Sequence, residues 1–353
     1  MLAVDTSATM LWTTVNLVIY FFVTWSYATD YENEYGPDYG TKWLLFLDEN
    51  GTTHEVNLTT LPPETRGIQL GGVYFYLYTR ENINNGELLT IPYDDTRIES
   101  KYFNSANEIK AITHGWLSKA NTEWLQNMKN ALLDRKDFNV IAVDWSELAQ
   151  NPLYPWPAVS TRYVGKRLSK LLDSLTKSYE MKNPDTHLIG HSLGAHVMGY
   201  AGMYSEQKIK RISGLDPARP LFELPLMNKN FRLDDTDADF VDIIHTSSGV
   251  LGYEDSHGHA DFYPNGGKPK QPGCEGRQHA IEGCSHGRSI TFFIESIDPT
   301  ARFKAYPCDS WENYENGKCR SNATLMGYPA NSNQLGDFYL RTNNQSRYAI
   351  DDE

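Results

Sequence analysis

The sequence predicts an α/β architecture, a largely parallel sheet with helices on both faces, and three observations lead there. Short apolar runs alternate with segments whose apolar residues recur at helical spacing. One run, Thr186 to Gly190, ends in Gly190-His191-Ser192-Leu193-Gly194 and passes at once into the helix-compatible stretch Ala195 to Tyr204. That is a strand, a sharp turn and a helix, the context in which Gly-x-Ser-x-Gly carries chemical meaning. Finally, His114, Ser192, Asp216 and Thr246 stand at or just beyond the carboxyl ends of such runs, where parallel sheets collect their reactive groups.

Taken in order, Met10 to Trp25 is uncharged and rich in Leu, Val, Ile, Phe and Trp, and the small residues of Ser26-Tyr27-Ala28 follow. The pattern predicts a secretory signal peptide over residues 1–28, the run being short for a membrane span of about 20 residues. Residues 29–353 then form one catalytic domain. Tyr31 to Asp38 is acidic and tyrosine-rich. Trp43 to Leu47 and Thr53 to Leu58 flank Asp48-Glu49-Asn50-Gly51, a hairpin signal. Val73 to Thr79 and Ile109 to Thr113 read as strands, the second running into His114-Gly115-Trp116. Asn121-Thr122 can cap a helix whose apolar face is Trp124, Leu125, Met128, Leu132 and Leu133. Asn139 to Val143 is a buried strand. After the proline-rich loop Pro152 to Pro157, Val164, Leu168, Leu171, Leu172 and Leu175 share one helical face. Ile209 to Leu215 is a strand that stops at Asp216-Pro217, Phe240 to His245 is another, and a helix beginning near His286 runs through Ile297.

Composition narrows the class. A chain of 353 residues, 40% hydrophobic, can bury a large core. A net charge of −13 argues against nucleic acid and strongly anionic membrane as partners. The four cysteines, Cys274, Cys284, Cys308 and Cys319, fit an oxidising compartment. Of the three pairings they allow, the sequential one closes two small loops, and neither pair has the Cys-x-x-Cys spacing of a structural zinc site. Asn50, Asn57, Asn322 and Asn344 each begin a glycosylation sequon, meaningful in a secreted chain.

Side chains at Gly190 and Gly194 would collide with the neighbouring strand and helix, so glycine there lets Ser192 project outward from a strained turn. A serine hydroxyl is a poor nucleophile until an oriented base takes its proton. In this architecture the chain order is serine, acid, histidine. Asp216, directly after a strand, is the candidate acid, with a turn-capping aspartate as the other reading. His245, His257, His259, His279 and His286 are candidates for the base. His245 lies inside an apolar strand and suits a buried structural role; His286 follows Cys284-Ser285, where one disulfide would pin it, and is favoured. A tetrahedral intermediate needs N–H donors, usually two. The backbone N–H of Leu193 is one, and that of Trp116, in the loop after an early strand, is the other.

The blocks Ile112-Thr113-His114-Gly115-Trp116, Val143-Asp144-Trp145, Gly190 to His196 and Gly214-Leu215-Asp216-Pro217-Ala218 resemble, in order, those of the pancreatic lipase family. So do Phe240 to Thr246, Asp261 to Gly267 and Cys284-Ser285-His286. The resemblance covers roughly Val73 to Tyr339. It implies an α/β-hydrolase fold and a secreted carboxylic-ester hydrolase acting on lipid at an interface or micelle, with Ser192 as nucleophile, Asp216 as acid and His286 as base. It places the oxyanion donors on Trp116 and Leu193, and catalysis would require no cofactor. The family often holds a structural calcium in the segment matching Arg232 to Asp237, which points to Arg232, Asp234 and Asp237. Lys229 stands where the family often has an acidic residue, and a solvated acidic loop is the competing reading.

Two departures shape the expected specificity. Only Glu275 to Gly283 separates Cys274 from Cys284, where triglyceride lipases of the family resemble one another in a long lid. Apart from its glycines, that segment offers only Ala280 and Ile281 as apolar residues, too few to cover a wide acyl groove. Together with the short loop Ser247 to Gly258, this resembles the phospholipase A1 branch, including the insect enzymes, and leads us to expect an open groove. The short tail after Cys319 leaves no room for a carboxyl-terminal β-sandwich, so no colipase partner is expected. Triglyceride hydrolysis and a non-catalytic, yolk-type lipid-binding or storage role are the alternatives.

Overall fold

The computed structural model describes residues 34–48, 50–59, 71–91 and 97–350, so the expected signal peptide lies outside the described residues. The chain divides into two units, Met1–Tyr39 and Gly40–Glu353. What is described of the first is a pair of turns in which the rings of Tyr35 and Tyr39 lie 4.8 Å apart. Everything that follows belongs to the second.

That unit opens with the expected hairpin, β1 (Trp43–Leu47) against β2 (Thr53–Asn57). Asp48 closes its turn, one carboxylate oxygen accepting the N–H groups of Asn50 and Thr52. The hairpin is a separate two-stranded sheet. Its alternation sets Leu44 opposite Val56 and Phe46 opposite His54. Leu44 and Val56 are buried, as the period of two requires for a face packed on the body.

The main sheet begins with β3 (Tyr74–Tyr78) and β4 (Glu87–Leu89), then β5 (Ile109–Thr113), β6 (Asn139–Asp144), β7 (Thr186–His191), β8 (Ile209–Leu215) and β9 (Ala238–Ile244). It is completed by β10 (Ala260–Pro264), β11 (Lys304–Pro307), β12 (Thr324–Leu325) and β13 (Gly336–Leu340). The spatial order is β12-β11-β13-β10-β9-β8-β7-β5-β6-β3-β4. Neighbours from β13 through β6 are parallel, and the flanking strands at either edge are antiparallel. β5 and β6 are buried almost throughout, as strands covered on both faces must be.

The helices are α1 (Glu123–Arg135), the short α2 (Ser146–Ala149), α3 (Pro155–Ser178), α4 (Leu193–Tyr204), α5 (Gln278–Ser296) and the short α6 (Trp311–Glu315). From β5 the chain steps one way across the sheet to β6, then back past β5 to β7. Right-handed crossovers in opposite directions put α1 and α3 on opposite faces. Accordingly α1 packs against α5, and α3 against α4. The α1–α5 side carries a core of Leu125, Met128, Leu132, Ile189, Leu215, Phe292 and Phe293. The reversal between β5 and β7 opens a crevice at their carboxyl ends, the place where such sheets bind ligands. This is the α/β-hydrolase fold.

Three local expectations change. Thr122 occupies the N-cap of α1, yet its side chain makes no capping bond and its hydroxyl is buried without a partner. Trp124 is only half-buried, packing against the core and also lining a cavity. α5 begins about two turns earlier than expected, so His286 lies within the helix and does not open it. The early turns form because Gln278 donates to Glu282 at 2.8 Å, an i,i+4 pair buried inside the disulfide loop. Gly276, Gly283 and Gly287 hid that helical run in the sequence.

Candidate active site

Ser192 stands between β7 and α4 with φ 56° and ψ −123°, a conformation disfavoured for a residue with a side chain. Close packing on both sides holds it there. A Cβ on Gly190 would run into the Gly194 carbonyl, and one on Gly194 would come within 2.6 Å of His114 O. The Ser192 N–H donates to Leu215 O at 3.0 Å, tying the turn to the neighbouring strand. Leu193 is the first residue of α4, so its N–H has no intrahelical acceptor and lies at the positive end of the helix dipole.

Asp216 follows β8 at φ 46° and is fully buried. One oxygen accepts the N–H groups of Thr246 at 2.8 Å and Ser247 at 3.1 Å, and the other meets His286 Nδ1 at 2.5 Å. Gly252 packs against this carboxylate so closely that a Cβ would overlap it. His286 is 3% exposed, and it lines the same two cavities as Ser192. Beside it lies His191, whose Nε2 is 3.2 Å from His286 O and whose ring centroid is 4.5 Å from that of His286. Burial, then the neighbouring imidazole, pushes the His191 pKa well below the ordinary range, so it remains neutral.

The remaining histidines have other partners. His245 Nε2 is 2.7 Å from Asp261 Oδ1, and its ring stacks on Tyr263. His257 pairs with Glu223 at 3.1 Å, and His259 Nδ1 accepts the Val241 N–H. His279 sits in the first turn of α5.

Trp116 is buried, its indole N–H donating to Asn151 O at 2.7 Å. Leu117, next to it, donates to Ala149 O. His114 stacks on Trp145 with an interplanar angle of 11°, and its Nδ1 bonds to Gly115 O at 2.9 Å. The loop after β5 is thus clamped on its β6 side while it faces Ser192.

Ser192 and His286 separate two cavities. A narrow one is lined by Leu44, Phe46, Val56, Trp116, Tyr154, Ala218, Pro220 and Leu251, and has about 20 Å³ of free space. A wider one of about 370 Å³ includes Asp48, Ser118, Trp124, His191, Ala280 and Thr291. A shallower groove of about 1250 Å³ between α1 and α5 shares Trp124, Ile290 and Thr291 with the wider cavity and extends from it. The narrow arm is roofed, while the wider arm runs out into the α1–α5 groove. Ala280 and Gly283 of the segment between the cysteines line the wider cavity, and the β1–β2 hairpin roofs the narrow one, with the rings of Phe46 and Trp116 4.8 Å apart. That contact is worth about 1 kcal/mol beyond area burial. Nothing in the hairpin's alternation distinguishes a cavity roof from an ordinary half-buried ribbon.

The cysteines pair Cys274–Cys284 and Cys308–Cys319, each with Cα atoms 5.6 Å apart. Asn50, Asn57, Asn322 and Asn344 are all exposed. Arg232, Asp234 and Asp237 are buried. Asp234 Oδ2 lacks a hydrogen-bond partner, and burial pushes the Asp237 carboxyl up to about 8. An orphaned carboxylate oxygen beside a second desolvated carboxyl is a donor set that fits a hard cation. Lys229 pairs with Asp235 at 2.6 Å, a neighbouring acid outside that set.

A family model described as Lipase matches residues 46–348. Among relatives, the human "Inactive pancreatic lipase-related protein 1" is 35% identical over 79% of this chain and 65% of its own length. The "Pancreatic triacylglycerol lipase" of Myocastor coypus is 34% identical, with 78% and 65% covered. "Lipase member H-A" of Xenopus laevis is 38% identical over 70% of this chain and 53% of its own length. The chain thus spans about two thirds, or less, of the length of these relatives.

Proposed function

The chain belongs to the lipase family, and from that premise we propose that it is a secreted serine hydrolase that cleaves acyl esters of lipids, with phospholipase A1-like specificity. The carrying observation is the contact of His286 Nδ1 with Asp216 Oδ2 at 2.5 Å, in a site where His286 and the strained Ser192 line the same cavities.

In this reading Asp216 holds the imidazole with Nδ1 protonated, which leaves Nε2 to take the Ser192 proton as Oγ attacks the acyl carbonyl. Negative charge develops on the carbonyl oxygen and is met by the N–H groups of Leu193 and Trp116. The proton on His286 then passes to the departing alcohol, and water repeats the sequence to release the fatty acid. The narrow, almost wholly apolar cavity suits the acyl chain. The wider, more polar one continues into the α1–α5 groove and suits the glycerol and head group, which favours a phospholipid over a triglyceride. Two disulfides and four exposed sequons support secretion. A calcium ion held by Asp234, Asp237 and main-chain oxygen at Arg232 would neutralise two buried carboxyls and hold their loop, taking no part in ester cleavage.

The human relative's name, which calls that protein inactive, favours one further reading for this chain, the non-catalytic binding or storage role. The test is a fluorophosphonate probe together with initial rates on phosphatidylcholine, a long-chain triglyceride and a short-chain ester. We expect labelling at Ser192 and release of the sn-1 chain from phosphatidylcholine faster than triglyceride hydrolysis. A chain that neither labels nor hydrolyses is a binding protein. One that prefers triglyceride and spares phospholipid is a neutral lipase.

A further inference from the structure

We propose that the β1–β2 hairpin is the displaceable roof of the acyl-binding arm and that Phe46 sets the acyl length admitted while the roof is down, an inference that rests on the acyl-hydrolase reading above. The narrow cavity beside Ser192 has two kinds of wall. Trp116, Tyr154, Ala218, Pro220 and Leu251 come from loops at the carboxyl edge of the main sheet, while Leu44, Phe46 and Val56 come from the hairpin. The loop side is braced, since the Tyr154 hydroxyl donates to Pro220 O at 3.0 Å and Leu251 O accepts the Arg219 N–H at 2.9 Å.

The hairpin side is held differently. Its strands pair with each other and belong to a sheet of their own, so lifting them breaks no hydrogen bond of the main ladder. A lone two-stranded ribbon is marginal in water, and its seat depends on its packed face. That face is Leu44, Phe46 and Val56, with Phe46 and His54 against Trp116, and Leu47 rests beside Gly283 in α5.

Volume makes the arrangement consequential. About 20 Å³ of free space accommodates about one water molecule. A short acyl group fits there with small side-chain shifts, but a long chain does not. Phe46 and Trp116 both line the narrow and the wide cavity, so above Ser192 and His286 their ring contact is the wedge between the two, and Phe46 is its hairpin half. A long-chain lipid can therefore seat its acyl group only by displacing Phe46 and the ribbon that carries it. Trimming Phe46 should lower that barrier most for long chains, because a short acyl group needs the least displacement of it.

The experiment compares kcat/KM on p-nitrophenyl acetate, butyrate, octanoate and palmitate for the full chain and for Phe46→Ala, Phe46→Leu and Phe46→Trp, with thermal unfolding of each. We expect the octanoate-to-butyrate ratio to rise at least tenfold in Phe46→Ala, by less in Phe46→Leu, and to fall in Phe46→Trp. Phe46→Trp keeps an aromatic contact to Trp116, so it reports even if the truncations unfold. A merely structural Phe46 would lower all four rates together. Ratios within twofold of the parent in the folded variants overturn this inference alone. A parent chain that is unlabelled by fluorophosphonate and inert toward all four esters overturns the acyl-hydrolase reading and this inference with it.

Discussion

His286 and Asp216, 70 residues apart in sequence, meet at 2.5 Å between Nδ1 and Oδ2, and the second oxygen of Asp216 is already occupied by two backbone N–H groups. The carboxylate cannot rotate without giving up those donors, and Gly252 closes the space beside it. The imidazole is thereby fixed in tautomer and direction. Replacing Asp216 with Asn forces a choice. Either the amide NH₂ faces the Thr246 and Ser247 N–H groups, donor against donor, or it faces His286 Nδ1 and drives the ring to the other tautomer. The second arrangement keeps the fold, so Asp216→Asn should lower kcat by about 10⁴ with little change in KM. A loss of under tenfold in a folded variant would remove Asp216 from the triad.

Ser192→Ala should abolish fluorophosphonate labelling and cut ester hydrolysis by roughly 10⁶, leaving only what binding and the N–H donors of Leu193 and Trp116 supply. The fold should survive, because the substitution removes only the hydroxyl and keeps the backbone path and the N–H bond to Leu215 O. Both a labelling gel and a melting curve are needed. Retention of a tenth of the activity would refute the assignment of the nucleophile.

Much of this site was legible in advance because its groups sit at fixed offsets from strand ends. Ile109–Thr113 and Ile209–Leu215 were bounded by local pattern, and with them came the positions of His114 and Asp216. What sequence hid was long-range. No spacing rule places Phe46 against Trp116, or Gly252 against Asp216, since those contacts join segments far apart in the chain. His191 occupies a variable position of the Gly-x-Ser-x-Gly turn, and nothing in that turn indicates that its neighbour in space is His286. The start of α5 was lost for a local reason, because three glycines outweighed the Gln278–Glu282 pair that stabilises its first turns.

His245 offers a contrast with His286, since its ring is paired with Asp261 and stacked on Tyr263. Burial works against its charge, but the hydrogen bond and charge of Asp261 outweigh it and raise the His245 pKa above the ordinary value. A histidine raised on folding adds stability that is fully present below its unfolded pKa of about 6.5 and is lost as pH climbs through the folded value. His245→Gln should therefore cost about 3 kcal/mol near pH 6 by leaving Asp261 a buried, underpaired carboxylate, and less near pH 9. Activity on short esters should persist. A Tm difference from the parent that ignores pH, or a folded but catalytically dead variant, would contradict this division of roles.

The Asp234–Asp237 pair supplies the remaining test. Burial, with the nearby charge of Asp234 adding to it, raises Asp237 to about 8, against an ordinary value of 3.8. An acid raised on folding binds its proton more tightly in the native state, so without a cation this group makes stability fall as pH rises from about 4 toward 8. A cation must displace that proton, and its advantage grows over the same interval as the proton becomes easier to remove. Calcium should thus raise Tm clearly at pH 8 and hardly at all at pH 5. At a hundred times its dissociation constant the gain would be about 2.7 kcal/mol, or roughly 4 °C for a domain of this size. Asp237→Asn removes the titrating carboxyl while keeping its shape and its contact with the Asp234 N–H through the amide oxygen. That variant should be indifferent to calcium and to chelator, and should match or exceed the chelated parent in stability at pH 8. Scanning fluorimetry of both proteins at the two pH values, with calcium and with EDTA, decides the matter. Equal melting of the parent with ion and with chelator at pH 8 would show that the pair holds no calcium.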